Sequence, residues 1–180
     1  MDDNVLDKVS KSTRKLYETY QLVPYIRNLF EDGLLGGDGD LTSTRDYREY
    51  LRSFDDGAER KYAQIKKYLY PGKIVDIGCC SGSLIEQMTK NPTLQQNADF
   101  YGIEVARILY DECIKRKESG QYFKNDSVFF LQKNVVDNQI FRENFIDIFT
   151  SFSLTHEVYS YQSKQALEKM IHLLFTQLKP

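Results

Sequence analysis

Residues 73–83 read KIVDIGCCSGS and hold an acidic residue, Asp76, ahead of two glycines, Gly78 and Gly82. Ile74, Val75 and Ile77 form a short apolar, β-branched run of the kind found in a fully buried strand. Leu84, Ile85 and Met88 open a helical pattern directly after the small-residue turn. Glycines suit a turn where a ligand must approach the backbone with no Cβ in the way. The helix N-terminus beyond it offers unpaired N–H groups to anything negative. Glu104 ends the next apolar run, 100–103, about 20 residues past the glycines, where an acidic side chain binds ribose hydroxyls in strand–turn–helix architectures. The joint spacing predicts a nucleotide-like ligand at the carboxyl edge of a parallel sheet. A third stretch, 153–161, reads SLTHEVYSY and is dense in groups that bind or move protons, among them His156 and Glu157.

The turn discriminates between nucleotides. A dinucleotide fingerprint wants glycine at its first, third and sixth places. Here Gly78 is first, Cys80 third and Ser83 sixth. An acidic residue followed by G-x-G-x-G fits better: Asp76, Gly78 and Gly82 match, with Cys80 in place of the middle glycine. On these residues the chain, from 73 to 180, resembles the class I S-adenosylmethionine-dependent methyltransferases. The segments TSTRDYREYLRSFD, DIGCCSGSL and SLTHEVYSY together look like a group of bacterial methyltransferase-like proteins.

The resemblance implies a Rossmann-like α/β core with its first and fourth strands side by side and S-adenosyl-L-methionine across their carboxyl ends. Asp76 and the backbone of Gly78, Cys79, Cys80, Ser81 and Gly82 would hold the methionine part. Glu104 would accept both ribose hydroxyls, and Val105 would pack against the adenine. Asn134, where the family usually has Asp, would bond the adenine amine through its side-chain oxygen, with Val135 beside it. Ser151 and Phe152 would lie next to the methyl. Residues 153–161 fall where methyl acceptors sit, so His156 becomes the group that takes a proton from the acceptor, and Glu157 orients it or holds a substrate cation. The alternative for both is that they brace the loop. The acceptor itself, small molecule or macromolecule, is left open. Two rivals remain: a non-catalytic cofactor-binding or interaction module on the same fold, and a nicotinamide-dependent oxidoreductase, which the glycine spacing disfavours.

Positioning these residues takes alternating strands and helices. After 100–103, a helix carries Val105, Leu109 and Cys113 and stops at Gly120; further strands fall at 128–131 and 146–152. The last helix starts near Ser163 and is expected to bury Leu167, Met170, Ile171, Leu174 and Leu178. Residues 1–72 read as a helical extension, or lid, ahead of a core at 73–180. It has a helix at 4–20, a short apolar face from Tyr25 to Phe30, and a glycine-rich loop at 31–40. Counted from Asp38, the place where an EF-hand loop needs glycine holds Ser43, so no metal is expected there. Thr42 or Ser43 is placed to cap a helix bearing Tyr47, Tyr50, Leu51 and Phe54. Asp55-Asp56-Gly57 is expected to break it before a second helix with Ala58, Tyr62, Ile65 and Leu69. The family's sheet has seven strands and four are visible, so the outer edge of the fourth is left free to pair with another chain, and the chain reads as the amino-terminal portion of a longer protein.

Composition sets the outer bounds. The 180 residues are 41% hydrophobic and 28% charged, enough for one domain with a real core. A net charge of −2 provides no field that would draw the chain to nucleic acid or an anionic membrane. No apolar run is long enough to span a bilayer, and the acidic start MDDNVLDKVS lacks the basic and apolar stretches of a secretory signal. Cytoplasm is the expected compartment. The three cysteines, Cys79, Cys80 and Cys113, have no zinc spacing and are expected as reduced thiols.

Overall fold

The computed structural model describes residues 47–180 apart from Asn138. The helix expected at 4–20, the apolar face from Tyr25 to Phe30, the loop at 31–40, the Thr42 or Ser43 cap and the side chains of Tyr47 and Tyr50 lie outside the described residues.

Four parallel strands form the sheet: β1 (Lys73–Ile77), β2 (Asp99–Glu104), β3 (Val128–Gln132) and β4 (Ile148–Ser151). Their order is β3-β2-β1-β4, which puts β1 and β4 side by side as expected. β1 pairs on one side with β2, Ile77 opposite Ile103, and on the other with β4, Ile77 opposite Ser151. The carboxyl ends of the three strands therefore meet in one row. The fourth strand is shorter than the sequence suggested. Ile146 stands outside it, in an isolated parallel bridge with Leu178.

Strand alternation divides the core into two faces. Ile74, Phe100, Val128 and Phe130 join Leu84, Ile85 and Met88 on one side; Val75, Ile77 and Ile103 join Val135, Ile146 and Met170 on the other. The helices are α1 (Tyr47–Ile65), α2 (Ser83–Thr89), α3 (Pro92–Asn97), α4 (Arg107–Glu118), the short α5 (Thr155–Glu157) and α6 (Lys164–Gln177). A 3-10 turn, Lys66–Tyr68, follows α1, and a π turn, Val158–Gln162, follows α5. α3 was not foreseen, although Asn91-Pro92 is a helix start: the Asn91 side chain caps the Thr93 N–H at 3.0 Å and Pro92 takes a first-turn position. Ser163 caps α6 through the Ala166 N–H, at 3.0 Å.

Two expectations are corrected. Asp55-Asp56-Gly57 does not break a helix; α1 runs through it. A helical glycine costs about 1 kcal/mol against alanine. That is outweighed by burial on both sides of it. Leu51 and Phe54 pack on Cys80, Ala106 and Leu109, while Tyr62 and Ile65 pack on the first core face. On α6, Met170 is buried, but Ile171 and Phe175 are exposed, with Phe175 at 69%, because the sheet beneath ends at β4. Among the described residues no helix is long and apolar enough to cross a membrane.

Candidate functional site

The site is built at the carboxyl ends of β1, β2 and β4. Asp76 is buried near the end of β1, and the Thr150 hydroxyl on β4 donates to its Oδ1 at 2.8 Å. No described residue donates to Oδ2, so one oxygen of a buried carboxyl is left for something else. Burial pushes the Asp76 acid up to about 7, against the opposing pull of Thr150 and the Lys61 charge. Glu104, also buried, accepts the backbone N–H groups of Cys80 (2.9 Å), Val105 (2.9 Å) and Ala106 (3.0 Å). Burial raises this acid to about 7 as well; the three backbone bonds hold it down and the charge of Glu157 adds to the rise.

The turn between β1 and α2 is closed on itself. Gly78 and Cys79 both donate to the Ile103 carbonyl, at 2.9 and 3.1 Å, and Gly82 donates to Cys79 at 2.8 Å. With Cys80 bound to Glu104, four of the five N–H groups from Gly78 to Gly82 are used within the protein. Its side chains also point away from the open side. Cys79 enters the first core face with its sulfur 4.0 Å from that of Cys113, Cys80 joins the cluster with Ala106 and Leu109, and the Ser81 hydroxyl donates to Asp55 at 2.7 Å. All three cysteines are free and buried. Cys80 takes a left-handed backbone, φ 54°, which favours the glycine it replaces. Its Cβ does not point at a ligand; it anchors the turn to α1 and α4. The space beside Gly82 is not held open for a ligand either: a Cβ there would stand 2.9 Å from the Phe130 ring.

Asp55, on α1, lies beside the glycine turn and the start of α2 and accepts from the Ser81 hydroxyl. Besides Ser81 it bonds the Ser83 hydroxyl at the start of α2. Arg116, on α4, holds it with two nitrogens, and also bonds Glu112 at 3.0 Å. Burial alone would raise this acid, but the Arg116 and Ser81 hydrogen bonds outweigh it and leave it below the usual carboxylate range. Sequence reasoning missed Asp55, having read it as a helix break.

The remaining predicted residues divide. Val105 is half-buried beside Glu104, and its carbonyl accepts from Gln132 at 3.2 Å. Asn134 turns its amide oxygen back onto the Val136 N–H at 3.0 Å, so that oxygen already has a donor. Val135 buries its side chain in the second core face and leaves only its backbone near the sheet edge. Ser151 is exposed and Phe152 is half-buried against the first core face. The segment after β4 folds back over the turn, with Leu154 3.5 Å from where a Gly78 Cβ would be. Glu157 follows within electrostatic reach of Glu104, and His156 is exposed. Lys61 on α1 was also missed. Nothing separates it in sequence from the other 23 of 24 basic residues. Its ammonium stands 3.7 Å from the centre of the Phe54 ring and 5.8 Å from that of Phe152, close enough to feel Asp76 and Cys80. Among the described residues no group of three or more His, Cys, Asp or Glu is placed to hold a metal ion.

Comparison with solved structures settles the fold. A S-adenosylmethionine-dependent methyltransferase from Aquifex aeolicus superposes with a TM-score of 0.59 at 15% identity, over 76% of this chain and 69% of that one. The methyltransferase domain of the bacterial protein CtHen1-CN gives 0.52 at 17% identity, over 71% and 62%. The fold is that of the class I methyltransferases. A proposed S-adenosyl-L-methionine-dependent methyltransferase from Methanococcus maripaludis gives 0.51 at 16% identity, over 77% and 62%, so the chain spans less than two thirds of the second and third of these proteins. No family model and no curated protein matches the sequence.

Within this methyltransferase fold the donor set can be tested against the cofactor. A phosphate needs free N–H groups on the turn or at the helix start. Here the turn is internally bonded and Asp55 sits at the helix start. A cationic ligand without phosphate needs acceptors, and two buried carboxyls supply them. The residues present fit S-adenosyl-L-methionine, whereas a phosphate would meet a turn with four of its five N–H groups engaged and the Asp55 carboxylate beside it.

Proposed function

We propose that this chain binds S-adenosyl-L-methionine and transfers its methyl group to an acceptor. The observation that carries the reading is the pairing of a self-bonded turn with two buried carboxyls, Asp76 and Glu104, at the carboxyl edge of a class I methyltransferase sheet. The cofactor, when bound, supplies a methyl on a sulfonium with a good leaving group. The chain's own task is then alignment and exclusion of water. Asp76, through its free oxygen, holds the methionine ammonium. Glu104 uses the acceptor capacity left after its three backbone bonds for the ribose. Asn134, with one oxygen lone pair already engaged, contributes the other or its amide nitrogen to the adenine. Phe152 and Leu154 wall the reacting end. His156, exposed on α5, is free to take a proton from an acceptor arriving from solvent, and Glu157 lies nearer the ribose side than the acceptor.

One observation favours the non-catalytic reading: Glu104 already accepts three backbone N–H groups, so the protein itself holds this buried carboxyl in place without a ligand. Titration calorimetry separates the readings. S-adenosylhomocysteine and S-adenosylmethionine are expected to bind and NAD to leave no heat. Label transfer from a methyl-labelled donor into a cell extract is expected with the wild type, and loss of transfer in His156→Ala at unchanged cofactor affinity identifies the proton acceptor. Cofactor binding with no label transferred to any fraction leaves the binding module standing.

A further inference from the structure

α1 brings one cation to the site. Lys61 is half-buried, and its ammonium stands 3.7 Å from the centre of the Phe54 ring and 5.8 Å from that of Phe152, the residue directly after β4. Aromatic faces stabilise a cation without neutralising it. No carboxylate of the described residues comes within ion-pair distance of Lys61. Asp76 feels its charge but does not touch it. Burial lowers the Lys61 ammonium from its usual range, while Asp76 works the other way. Two opposite charges sharing a partly desolvated site attract strongly unless structure keeps them apart. Here α1 is fixed by Asp55, gripped by Arg116 and Ser81, and Asp76 is fixed by Thr150. Among the described residues, the gap between them has an acceptor with an unused oxygen at one end and a cation with no anionic partner at the other. An α-amino acid presents the complementary pair, an ammonium and a carboxylate on one carbon.

We infer that Lys61 is the anchor for the carboxylate of the ligand's amino-acid end, spanning with Asp76 the two charges of a zwitterion. The assignment rests on the cofactor reading above. It also makes α1 a wall of the site and gives the Asp55 contacts a purpose, because they fix where Lys61 stands.

The test compares three ligands by calorimetry: S-adenosylhomocysteine, its decarboxylated analogue with the amine retained, and 5′-methylthioadenosine, which lacks the whole amino-acid end. In the wild type, S-adenosylhomocysteine is expected to bind at least tenfold more tightly than the decarboxylated analogue. Lys61→Met, which keeps most of the apolar stem, should abolish that preference. It should weaken S-adenosylhomocysteine about tenfold or more, leave methylthioadenosine unchanged, and leave the decarboxylated amine unchanged or tighter, since a repelling cation has gone. Lys61→Arg should restore the preference. Equal loss for all three ligands, or no loss for any, overturns the assignment while leaving the cofactor reading intact. Should Lys61→Met not fold, equal affinity of the wild type for the first two ligands overturns it instead. A wild type that binds none of the three overturns both readings.

Discussion

Arg116 grips Asp55 with both terminal guanidinium nitrogens, at 3.1 and 2.7 Å, across 61 residues of chain. This two-pronged contact ties α1 to α4, and the Ser81 hydroxyl carries it on to the glycine turn. The Tyr122 ring covers the guanidinium at 5.0 Å. The consequence is chemical as well as mechanical. A helix start beside a glycine turn attracts an anion. In this chain a carboxylate of the protein, Asp55, already stands beside that start, and its negative charge disfavours a phosphate there.

Asp55→Asn removes the charge and leaves a mostly buried Arg116 with Glu112 alone. Breaking a fully buried pair costs about 3–5 kcal/mol. The Asp55 side chain is 36% exposed, so solvent screening reduces the expected loss to about 1–3 kcal/mol. Asp111→Asn is the control: its pair with Arg107 lies on the surface, one helical turn apart, and should change stability by no more than about 0.5 kcal/mol. Urea melts of both variants read the difference directly. The Asp55 contribution is present at neutral pH and disappears as pH falls through its lowered acid constant, so Asp55→Asn should converge with the wild type in acid.

Three glycines separate packing from backbone strain. A Cβ at Gly102 would stand 2.5 Å from Cδ1 of Phe130 and 2.8 Å from the Cys79 sulfur, inside a packed core. Gly102→Ala should cost about 1–3 kcal/mol by overpacking. Gly82→Ala adds a left-handed backbone, φ 76°, to a clash with the same ring, and should cost more. Gly120→Ala meets open space at φ 67° and should cost only about 1 kcal/mol of backbone strain. Phe130→Leu in the background of Gly102→Ala should recover part of the loss. Thermal melts in which all three glycine variants fall together would show that the Phe130 contact is unimportant.

Most of the site's frame was legible because it is local. The β-branched run before Gly78, the glycine spacing and the acid at Glu104 are read from contiguous residues, and the parallel sheet follows from strands alternating with helices. What escaped depends on contacts distant in sequence. Asp55 and Asp56 before a glycine look like a helix stop until Arg116 arrives from 61 residues away. Gly82 looks like room for a ligand until Phe130 fills that room. Ile171 fits the apolar stripe of α6 by spacing, but the sheet that would cover it ends at β4.

That sheet edge has a measurable consequence. Within the described residues, β4 pairs only with β1, and its outer neighbour is limited to the bridge from Ile146 to Leu178. Ile171 and Phe175 stand exposed on the adjoining helix. An open strand edge beside apolar side chains promotes association with a second copy. Light scattering of the 180-residue chain should rise with concentration, and Ile171→Lys with Phe175→Lys should suppress the rise. Because both residues are exposed, the double variant should lose no more than about 1 kcal/mol. A monomer at all concentrations would show that the edge is protected.

Asp76 and Glu104 make ligand binding depend on pH in a direction that can be worked out. Both acids are raised to about 7 by burial, from usual values near 4. Each is therefore neutral in the folded protein at a pH where it is ionised in the unfolded chain. Their contribution to stability is full below about pH 4 and is lost as pH rises through 7. The ammonium group of a bound amino-acid end reverses the preference, because it binds the ionised carboxylate. A single acid with a constant of about 7 is roughly one-tenth ionised at pH 6 and nine-tenths at pH 8, so S-adenosylhomocysteine affinity should rise about tenfold over that interval for each carboxylate that must ionise. Binding near pH 7 should release protons, seen as a calorimetric heat that changes with the ionisation enthalpy of the buffer. Asp76→Asn should remove part of the pH dependence along with part of the affinity. Glu157→Gln should move the remaining midpoint downward, since the Glu157 charge adds to the rise at Glu104. An affinity that stays flat from pH 6 to 8, with no buffer-dependent heat, would mean that neither carboxyl changes its protonation when the ligand binds.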